Sequence, residues 1–164
     1  MGSGLSFTCK KCGNNYRVHW GIGIFYPQVY KGVVENIKNG EYGQEWKALF
    51  SSKEYVAVEA AICVYQCKKC HSWRDEPDFS LYVPNSLEEI RKMQNERNND
   101  DEWGAVPCGS LREDYHILKR RIHYCTDCGE EMQKLMTYEE LQKLPCPQCG
   151  NIPEEEDSSS FMWD

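Results

Sequence analysis

Residues 125–150 run from Cys125-Thr-Asp-Cys128-Gly129 to Cys146-Pro-Gln-Cys149-Gly150, and the same Cys-x-x-Cys spacing occurs upstream in Cys9-Lys-Lys-Cys12-Gly13 and Cys67-Lys-Lys-Cys70-His71. We call each of these four motifs a knuckle. A tetrahedral metal site needs four soft donors around one point, and a turn of this spacing supplies two of them. A glycine after the second cysteine allows the left-handed backbone that ends such a turn. Four knuckles therefore predict two metal sites.

The predicted metal is zinc, with two ions per chain, because closed sites of four thiolates are typical of structural zinc. The predicted ligands are the cysteines of the four knuckles: Cys9, Cys12, Cys67, Cys70, Cys125, Cys128, Cys146 and Cys149. Iron also binds tetrahedral sulfur sites, so the residues alone leave iron open.

The spacing of the knuckles also suggests how they pair. We expect the knuckle at 125–128 to share an ion with the one at 146–149, because only 17 residues separate them, as in the usual zinc ribbon. The knuckles at 9–12 and 67–70 then share the other ion across 54 residues. A loop three times longer costs only about 1 kcal/mol more to close. Structural zinc supplies on the order of 10–16 kcal/mol, so the long loop is no obstacle.

Disulfides and thiol redox chemistry are the main alternatives to metal binding. The N-terminus lacks the charged and apolar regions of a signal peptide, so four identical spacings favour metal over disulfides. Cys146-Pro-Gln-Cys149 superficially fits a redox dithiol, but no clear buried strand of the thioredoxin type precedes it. Cys63 is either a spare ligand or, as is commoner, a small apolar core residue, and Cys108 is interpreted as a loop thiol.

Composition argues against a membrane span and against generic binding to nucleic acid. No run of 18 apolar residues occurs, and we expect a soluble, cytoplasmic protein. The net charge of −7 is unfavourable for binding phosphates. Lys10-Lys11 and Lys68-Lys69 nevertheless lie inside knuckles. They either form a basic footprint for nucleic acid or offset the negative charge of four zinc-bound thiolates, and we favour the second interpretation.

The predicted fold class is α+β, with two zinc-ribbon-like lobes of four cysteines each, short antiparallel strands and inserted helices. The predicted segments are an N-terminal lobe with a helical insertion at 1–84, a helical acidic linker at 85–114, a C-terminal zinc ribbon at 115–152 and an acidic tail at 153–164.

Local patterns predict three of the helices. Val29, Val33 and Ile37 recur every fourth residue, which indicates a helix from Gln28 that stops at Asn39-Gly40. Capping boxes predict helices after Ser86 and after Thr137, the first reaching about Arg97.

Alternating polarity predicts a hairpin within 5–20 and strands at 54–66, 73–83 and 115–124. Residues 98–103 are expected to form a polar, mobile loop. The tail after Ile152 is expected to be disordered. Its aromatic residues, Phe161-Met162-Trp163, either dock on a partner, dock on their own domain or belong to an inert terminus.

Residues 122–152 resemble a rubredoxin-type zinc ribbon, through Cys125-x-x-Cys128-Gly129 and Cys146-Pro-x-Cys149-Gly150. The overall pattern resembles small bacterial zinc-ribbon proteins whose activity is unassigned. The resemblance covers about a fifth of the chain. It implies metal binding and a fold, but it carries no substrate with it.

No catalytic constellation is recognisable in the sequence. It contains no His-Glu-x-x-His motif and no three-ligand metal site with an open position, so we expect that the chain is not an enzyme. The hypothesis is a non-catalytic module that binds protein through the helical insertion or the aromatic tail. A nucleic-acid-binding ribbon is the alternative, and a thiol redox protein is a third.

Overall fold

The computed structural model describes residues 2–96, 106 and 108–163, which form nine β-strands, five α-helices and one short 3-10 helix. The strands are β1 Gly2–Thr8, β2 Asn15–Trp20, β3 Ala57–Val58, β4 Ile62–Cys67, β5 Trp73–Pro77, β6 Leu81–Pro84, β7 Tyr115–Lys119, β8 Met132–Lys134 and β9 Ser158–Trp163. The α-helices are α1 Tyr26–Asn39, α2 Gln44–Ser51, α3 Leu87–Glu96, α4 Cys108–Glu113 and α5 Tyr138–Gln142. The predicted mixture of helices and short strands is confirmed.

Two compact units are interleaved along the chain. Unit 1 contains Met1–Ile24, Ala61–Pro77 and Ile122–Asp164, and unit 2 contains Phe25–Ala60 and Asp78–Arg121. This division differs from the contiguous segments expected from sequence, which were 1–84, 85–114, 115–152 and 153–164. Contiguous segments were expected because nearby knuckles were expected to pair, whereas each unit draws on segments that are distant in sequence.

Unit 1 contains two three-stranded antiparallel sheets, with strand orders β2-β1-β9 and β5-β4-β8. The predicted hairpin within 5–20 is confirmed as the β1–β2 pair. Its core contains the fully buried side chains of Leu5, Phe7 and Val18, to which Leu144 from the segment after α5 adds. Phe7 stacks on Tyr16 with 4.8 Å between ring centroids. This cluster also includes cysteines, so the apolar core and the knuckles are continuous.

Unit 2 contains the third antiparallel sheet, β3-β6-β7, together with α1 to α4. Its central cluster is formed by four buried side chains from β3, α3, α4 and β7: Ala57, Ile90, Leu111 and Tyr115. Arg121 lies over three aromatic rings, with its guanidinium carbon 5.8–5.9 Å from the centroids of Tyr42, Trp46 and Phe79. Cation–π contacts of this length attach the last residue of the unit to α2 and its neighbours.

The predicted helices agree with the structure. α1 ends where expected, at Gly40 with φ of 87°, which is the left-handed backbone that glycine adopts without strain. α3 begins after Ser86, whose hydroxyl accepts a hydrogen bond from the N–H of Glu89. α5 has both hydrogen bonds of the capping box between Thr137 and Glu140.

The predicted strands at 54–66, 73–83 and 115–124 are each wrong in extent. The first is divided into β3 and β4, the second into β5 and β6, and the third ends at Lys119. Each break occurs close to a point where the chain passes from one unit to the other. In the first two segments the two parts therefore pair in different sheets, which alternation of polarity within one segment cannot indicate.

The C-terminal tail is ordered, so the predicted disorder is wrong for its described residues. β9 pairs antiparallel with β1, with Gly2 opposite Trp163 and Gly4 opposite Phe161. The aromatic rings lie where β1 has no side chains: a Cβ atom added to Gly4 would be 2.4 Å from the Phe161 ring. Three outcomes were expected for Phe161-Met162-Trp163, and the structure shows one of them: the segment docks on its own unit.

Two further expectations concern residues or side chains that the structure does not describe. The expected loop at 98–103 lies outside the described residues, and so does the side chain of Cys108, whose backbone begins α4. Among the described residues, no helix is long and apolar enough to cross a membrane.

The glycine at position 4 offers a test of tail docking. We expect Gly4→Ala to displace the Phe161 ring, because the added methyl group would overlap it, and overpacking of this kind costs about 1–3 kcal/mol. Amide hydrogen exchange in β9 should then be roughly tenfold faster or more. Ser6→Ala, on the same strand, is the matched control and should leave the exchange in β9 unchanged. Equal protection in both variants would contradict the observed packing of β9 on β1.

Candidate metal centres

All four knuckles have the same local backbone. In each, the N–H of the residue after the second cysteine donates to the carbonyl of the first cysteine. The donors and acceptors are Gly13 to Cys9 at 2.8 Å, His71 to Cys67 at 3.0 Å, Gly129 to Cys125 at 2.9 Å and Gly150 to Cys146 at 2.8 Å. The N–H of each first cysteine also donates to the carbonyl five residues later. The four motifs are therefore one structural unit repeated four times.

The knuckle at 67–70 lacks the terminal glycine but keeps the conformation. His71 has φ of 62°, close to the values of 71–77° at Gly13, Gly129 and Gly150. Histidine adopts this left-handed region only at a cost. Because His71 adopts this backbone although it is not a glycine, we infer that the knuckle at 67–70 requires the left-handed turn.

The knuckles combine into two clusters of four cysteines. We call Cys9, Cys12, Cys146 and Cys149 the terminal centre, and Cys67, Cys70, Cys125 and Cys128 the internal centre. Within each centre the four sulfur atoms lie within 4.8 Å of one another. Both centres belong to unit 1. In each, the first cysteine of both knuckles is buried and at least one second cysteine is exposed.

The sulfur positions fit a tetrahedral metal ion. The Sγ–Sγ distances are 3.6 Å from Cys9 to Cys149 and 3.7 Å from Cys12 to Cys146. In the internal centre they are 3.4 Å from Cys67 to Cys128, with 3.5 Å and 3.6 Å from Cys70 to Cys125 and Cys128. A zinc ion about 2.3 Å from each sulfur of a regular tetrahedron places the sulfurs about 3.8 Å apart. A disulfide would require about 2.05 Å, and these cysteines are free.

The pairing expected from knuckle spacing is wrong. The knuckle at 125–128 joins 67–70 rather than 146–149, and the knuckle at 146–149 joins 9–12. The ribbon expected over 122–152 is therefore not closed by its own two knuckles. What brings the internal centre together is the pairing of β8 with β4, in which Met132 lies opposite Cys67.

Packing of apolar residues brings the terminal centre together. Leu144, two residues before Cys146, is fully buried in the cluster that also contains Phe7 and Tyr16. The Tyr16 hydroxyl donates to the carbonyl of Leu144 at 3.1 Å. Because the β1–β2 hairpin carries the knuckle at 9–12, these contacts place the two knuckles side by side.

Backbone N–H groups favour the thiolate form of the first cysteine in each knuckle. The N–H groups of Cys12 and Lys11 lower the pKa of Cys9, and those of Cys70 and Lys69 lower the pKa of Cys67. The Cys67 and Cys9 sulfurs are thus pre-arranged as acceptors by their own turns. Hydrogen bonds to the charged form of an acid stabilise that form.

The pKa is lowered further in the first cysteines of the partner knuckles, Cys125 and Cys146. The Ser72 hydroxyl and the N–H groups that follow in the knuckle lower the pKa of Cys125 to about 6. Burial raises the pKa of Cys146, but the N–H groups of Gln148 and Cys149 outweigh it and lower the pKa to about 6. These thiols are poised to lose a proton near neutral pH, as metal ligands must.

The second cysteines behave differently. The N–H of Asn14 lowers the pKa of Cys12, but burial and the neighbouring thiols outweigh it and raise the pKa to about 12. In Cys128 the N–H of Glu130 is outweighed in the same way, and the pKa rises to about 12. Four thiolates within a few ångströms repel one another, so a divalent cation is what allows all four to ionise together.

Two polar residues near the sulfurs were not identified from sequence. The Ser72 hydroxyl lies 3.0 Å from the Cys125 sulfur and 3.1 Å from that of Cys70. The Asn14 side-chain amide donates to the Cys146 sulfur at 3.7 Å. Both residues occupy the second position after a knuckle that sits in a β-hairpin, and this shared offset is the signal that would have found them. Such partners orient ligands and moderate their charge.

Within the part of the chain that the structure describes, no residue outside the knuckles adds a ligand to either centre. Cys63 is half-buried beside the internal centre's cluster and is not among the four sulfurs. His19 lies 2.7 Å from Asp75, His116 lies 2.9 Å from Asn85, and His123 stacks on Tyr65. Among the described residues the two cysteine clusters are the only groups arranged to hold a metal ion.

Two of the four lysines inside the knuckles, Lys10 and Lys69, contact carboxylates. The Lys10 ammonium lies 2.9 Å from Glu154, 2.7 Å from Glu156 and 2.8 Å from Asp157. Lys69 lies 3.1 Å from Glu130. Their charges are therefore matched largely by acidic side chains of unit 1.

Comparison of the chain with protein families, curated proteins and solved structures finds no match.

Paired substitutions distinguish the observed pairing from the one expected by spacing. With Cys9→Ser and Cys146→Ser in one chain, both changes fall in the terminal centre, so one metal ion should remain. With Cys9→Ser and Cys67→Ser, one ligand is lost from each centre, and both ions should be lost or bound much more weakly. Native mass spectrometry counts the ions. The reverse result would restore the pairing inferred from the sequence.

Proposed function

We propose that this chain is a structural zinc protein and that it acts as a non-catalytic module that binds another protein. The observation that carries the first part is the closure of both centres, since each has four cysteines and no position left for water or substrate. Zinc is favoured over iron because closed tetrahedral sites of four thiolates are typical of structural zinc. The metal then stabilises the fold and takes no part in chemistry.

The charge distribution supports protein over nucleic acid as the partner. Generic binding to nucleic acid requires cations that are free to contact phosphates. Two of the four knuckle lysines that the nucleic-acid alternative would use, Lys10 and Lys69, are held by carboxylates. With a net charge of −7, the chain is poorly suited to a polyanion.

Exposed apolar side chains also favour a protein partner. In unit 1, Met136 is 72% exposed and Tyr138 is 47% exposed, two residues apart at the start of α5. In unit 2, Phe25 and Val29 are 62% and 48% exposed and lie one helical turn apart. Groups of exposed large apolar residues are commoner at protein interfaces than elsewhere on a surface.

Cobalt substitution tests the closure of the centres. A cobalt ion held by four thiolates has no open position, so its absorption spectrum should not change when cyanide or imidazole is added. The matched control is Cys149→Ala, which removes one ligand and should make the terminal centre sensitive to the same additives. A spectral change in the unsubstituted chain would show an exchangeable position and contradict a purely structural role.

Affinity capture tests the second part of the proposal. The metal-loaded chain, used as bait in an extract of the organism that encodes it, should retain a reproducible protein, because the fold presents exposed apolar side chains. The same chain stripped of metal should not retain it, since its fold depends on the centres. Recovery of nucleic acid with strong salt dependence, or of no reproducible protein, would contradict the proposal.

A further inference from the structure

β9 contacts the rest of unit 1 in the manner of a bound peptide. It lies at the edge of the sheet β2-β1-β9, and β1 is the only strand with which it pairs among the described residues. Six residue pairs form an antiparallel ladder, from Gly2 opposite Trp163 to Phe7 opposite Ser158. Removal of β9 would leave the β1–β2 hairpin paired as before. Addition of a strand to such an edge is a common mode of peptide recognition.

Two glycines create space for the aromatic residues of β9. A Cβ atom on Gly2 would lie 2.2 Å from the Trp163 ring, and one on Gly4 would lie 2.4 Å from the Phe161 ring. The Trp163 indole N–H also donates to the carbonyl of Ser3 at 2.8 Å. The space above the two glycines thus accommodates aromatic rings at alternate positions of β9, Phe161 and Trp163.

β2 supplies the rest of the contact with the rings. The His19 ring meets the Phe161 ring and the Trp163 ring edge-on, at 5.4 Å and 5.9 Å between centroids. The Arg17 guanidinium carbon lies 5.5 Å from the centre of the Phe161 ring. Met162, between the two aromatic residues, is 62% exposed and contributes little to the contact.

Ion pairs with Lys10 hold the acidic end of the segment, residues 154–157. Lys10 is within 2.9 Å of three carboxylates, those of Glu154, Glu156 and Asp157. The acidic run therefore meets a cation in the knuckle at 9–12 while the aromatic residues meet Gly2 and Gly4. The surface thus recognises two chemically distinct features at a fixed separation.

We propose that β1 with Lys10, Arg17 and His19 is a strand-docking surface for a partner protein, and that residues 153–163 occupy it as an internal ligand. The partner segment is extended and carries an acidic run followed, four residues later, by an aromatic–x–aromatic pair. This inference rests on the proposed protein-binding function and names its site. An internal segment competes at a high effective concentration, so the surface accepts a partner only when that segment is displaced or outcompeted.

Full-length variants test the surface. Phe161→Ala with Trp163→Ala removes both rings from the internal ligand, and Met162→Ala is the matched control on the same strand. The probe is a fluorescently labelled synthetic peptide with the sequence of residues 153–163. The double variant should bind this peptide at least about tenfold more tightly than the unsubstituted chain or the Met162→Ala control, because only in the double variant is the internal competitor weakened.

Specificity is tested in the same double variant. Adding Gly4→Ala should be better tolerated in that chain, since the three atoms nearest the added methyl group all belong to the Phe161 ring, which is gone, yet it should abolish peptide binding by obstructing the ring of the probe. Adding Lys10→Glu should weaken binding at least about tenfold, and a peptide with lysine at positions 154, 156 and 157 should restore it. Native mass spectrometry of each variant, with two metal ions retained, confirms that the fold is intact.

Three results would overturn the inference. The first is a folded double variant that fails to bind the peptide, and the second is binding that is insensitive to Gly4→Ala and Lys10→Glu. The third is a tail-dependent dimer of the unsubstituted chain, because the surface would then belong to a second copy. If a partner is still captured from extract under any of these results, the proposed function stands and only the assignment of its site fails.

Discussion

Repulsion between four thiolates held within a few ångströms is the constraint on which unit 1 depends. The knuckles bring the sulfurs within 4.8 Å of one another in each centre, a spacing that is favourable only around a cation. Backbone N–H groups stabilise the first thiolate of each knuckle, but for Cys12 and Cys128 burial and the neighbouring thiols outweigh the same stabilisation and raise the pKa. A divalent ion bound by all four sulfurs would make the arrangement stable, and metal binding and folding of this unit would then be one equilibrium.

The strands of unit 1 are short, which explains why its fold would depend on such an ion. They are three to seven residues long, and the two sheets have only three strands each. Sheets of this size bury little apolar surface, and small domains commonly add a metal or disulfides to compensate. Unit 2 meets the same need with apolar packing around Leu111 and with the aromatic residues around Arg121. Among the described residues it contains no cluster of metal ligands.

Local features of this fold could be predicted from the sequence, because each is determined by residues close together in the chain. The capping box at Thr137 and the glycine that ends α1 at Gly40 depend on a few neighbouring residues, and both agree with the structure. The grouping of cysteines in fours followed from their number and spacing. Their pairing did not, because it depends on Met132 lying opposite Cys67 and on Leu144 packing beside Tyr16. Closing the loop between residues 12 and 146 costs only about 2 kcal/mol more than closing the loop between residues 128 and 146. The free energy of such contacts readily exceeds this cost.

The tail was also misjudged from composition, and the reason bears on function. Four successive acidic residues and three serines, 154–160, indicate disorder when they are considered alone. Their order depends on Lys10 and on two glycines near the other end of the chain, none of which belongs to the segment itself. Local hydrogen bonds, such as that from the Glu154 N–H to Asp157, order the acidic turn, whereas β9 is ordered by the surface that it contacts, as a bound ligand is. In the role proposed above, the metal ions would hold that surface in shape, and the specificity of the protein would then reside in the side chains that surround the centres rather than in the centres themselves.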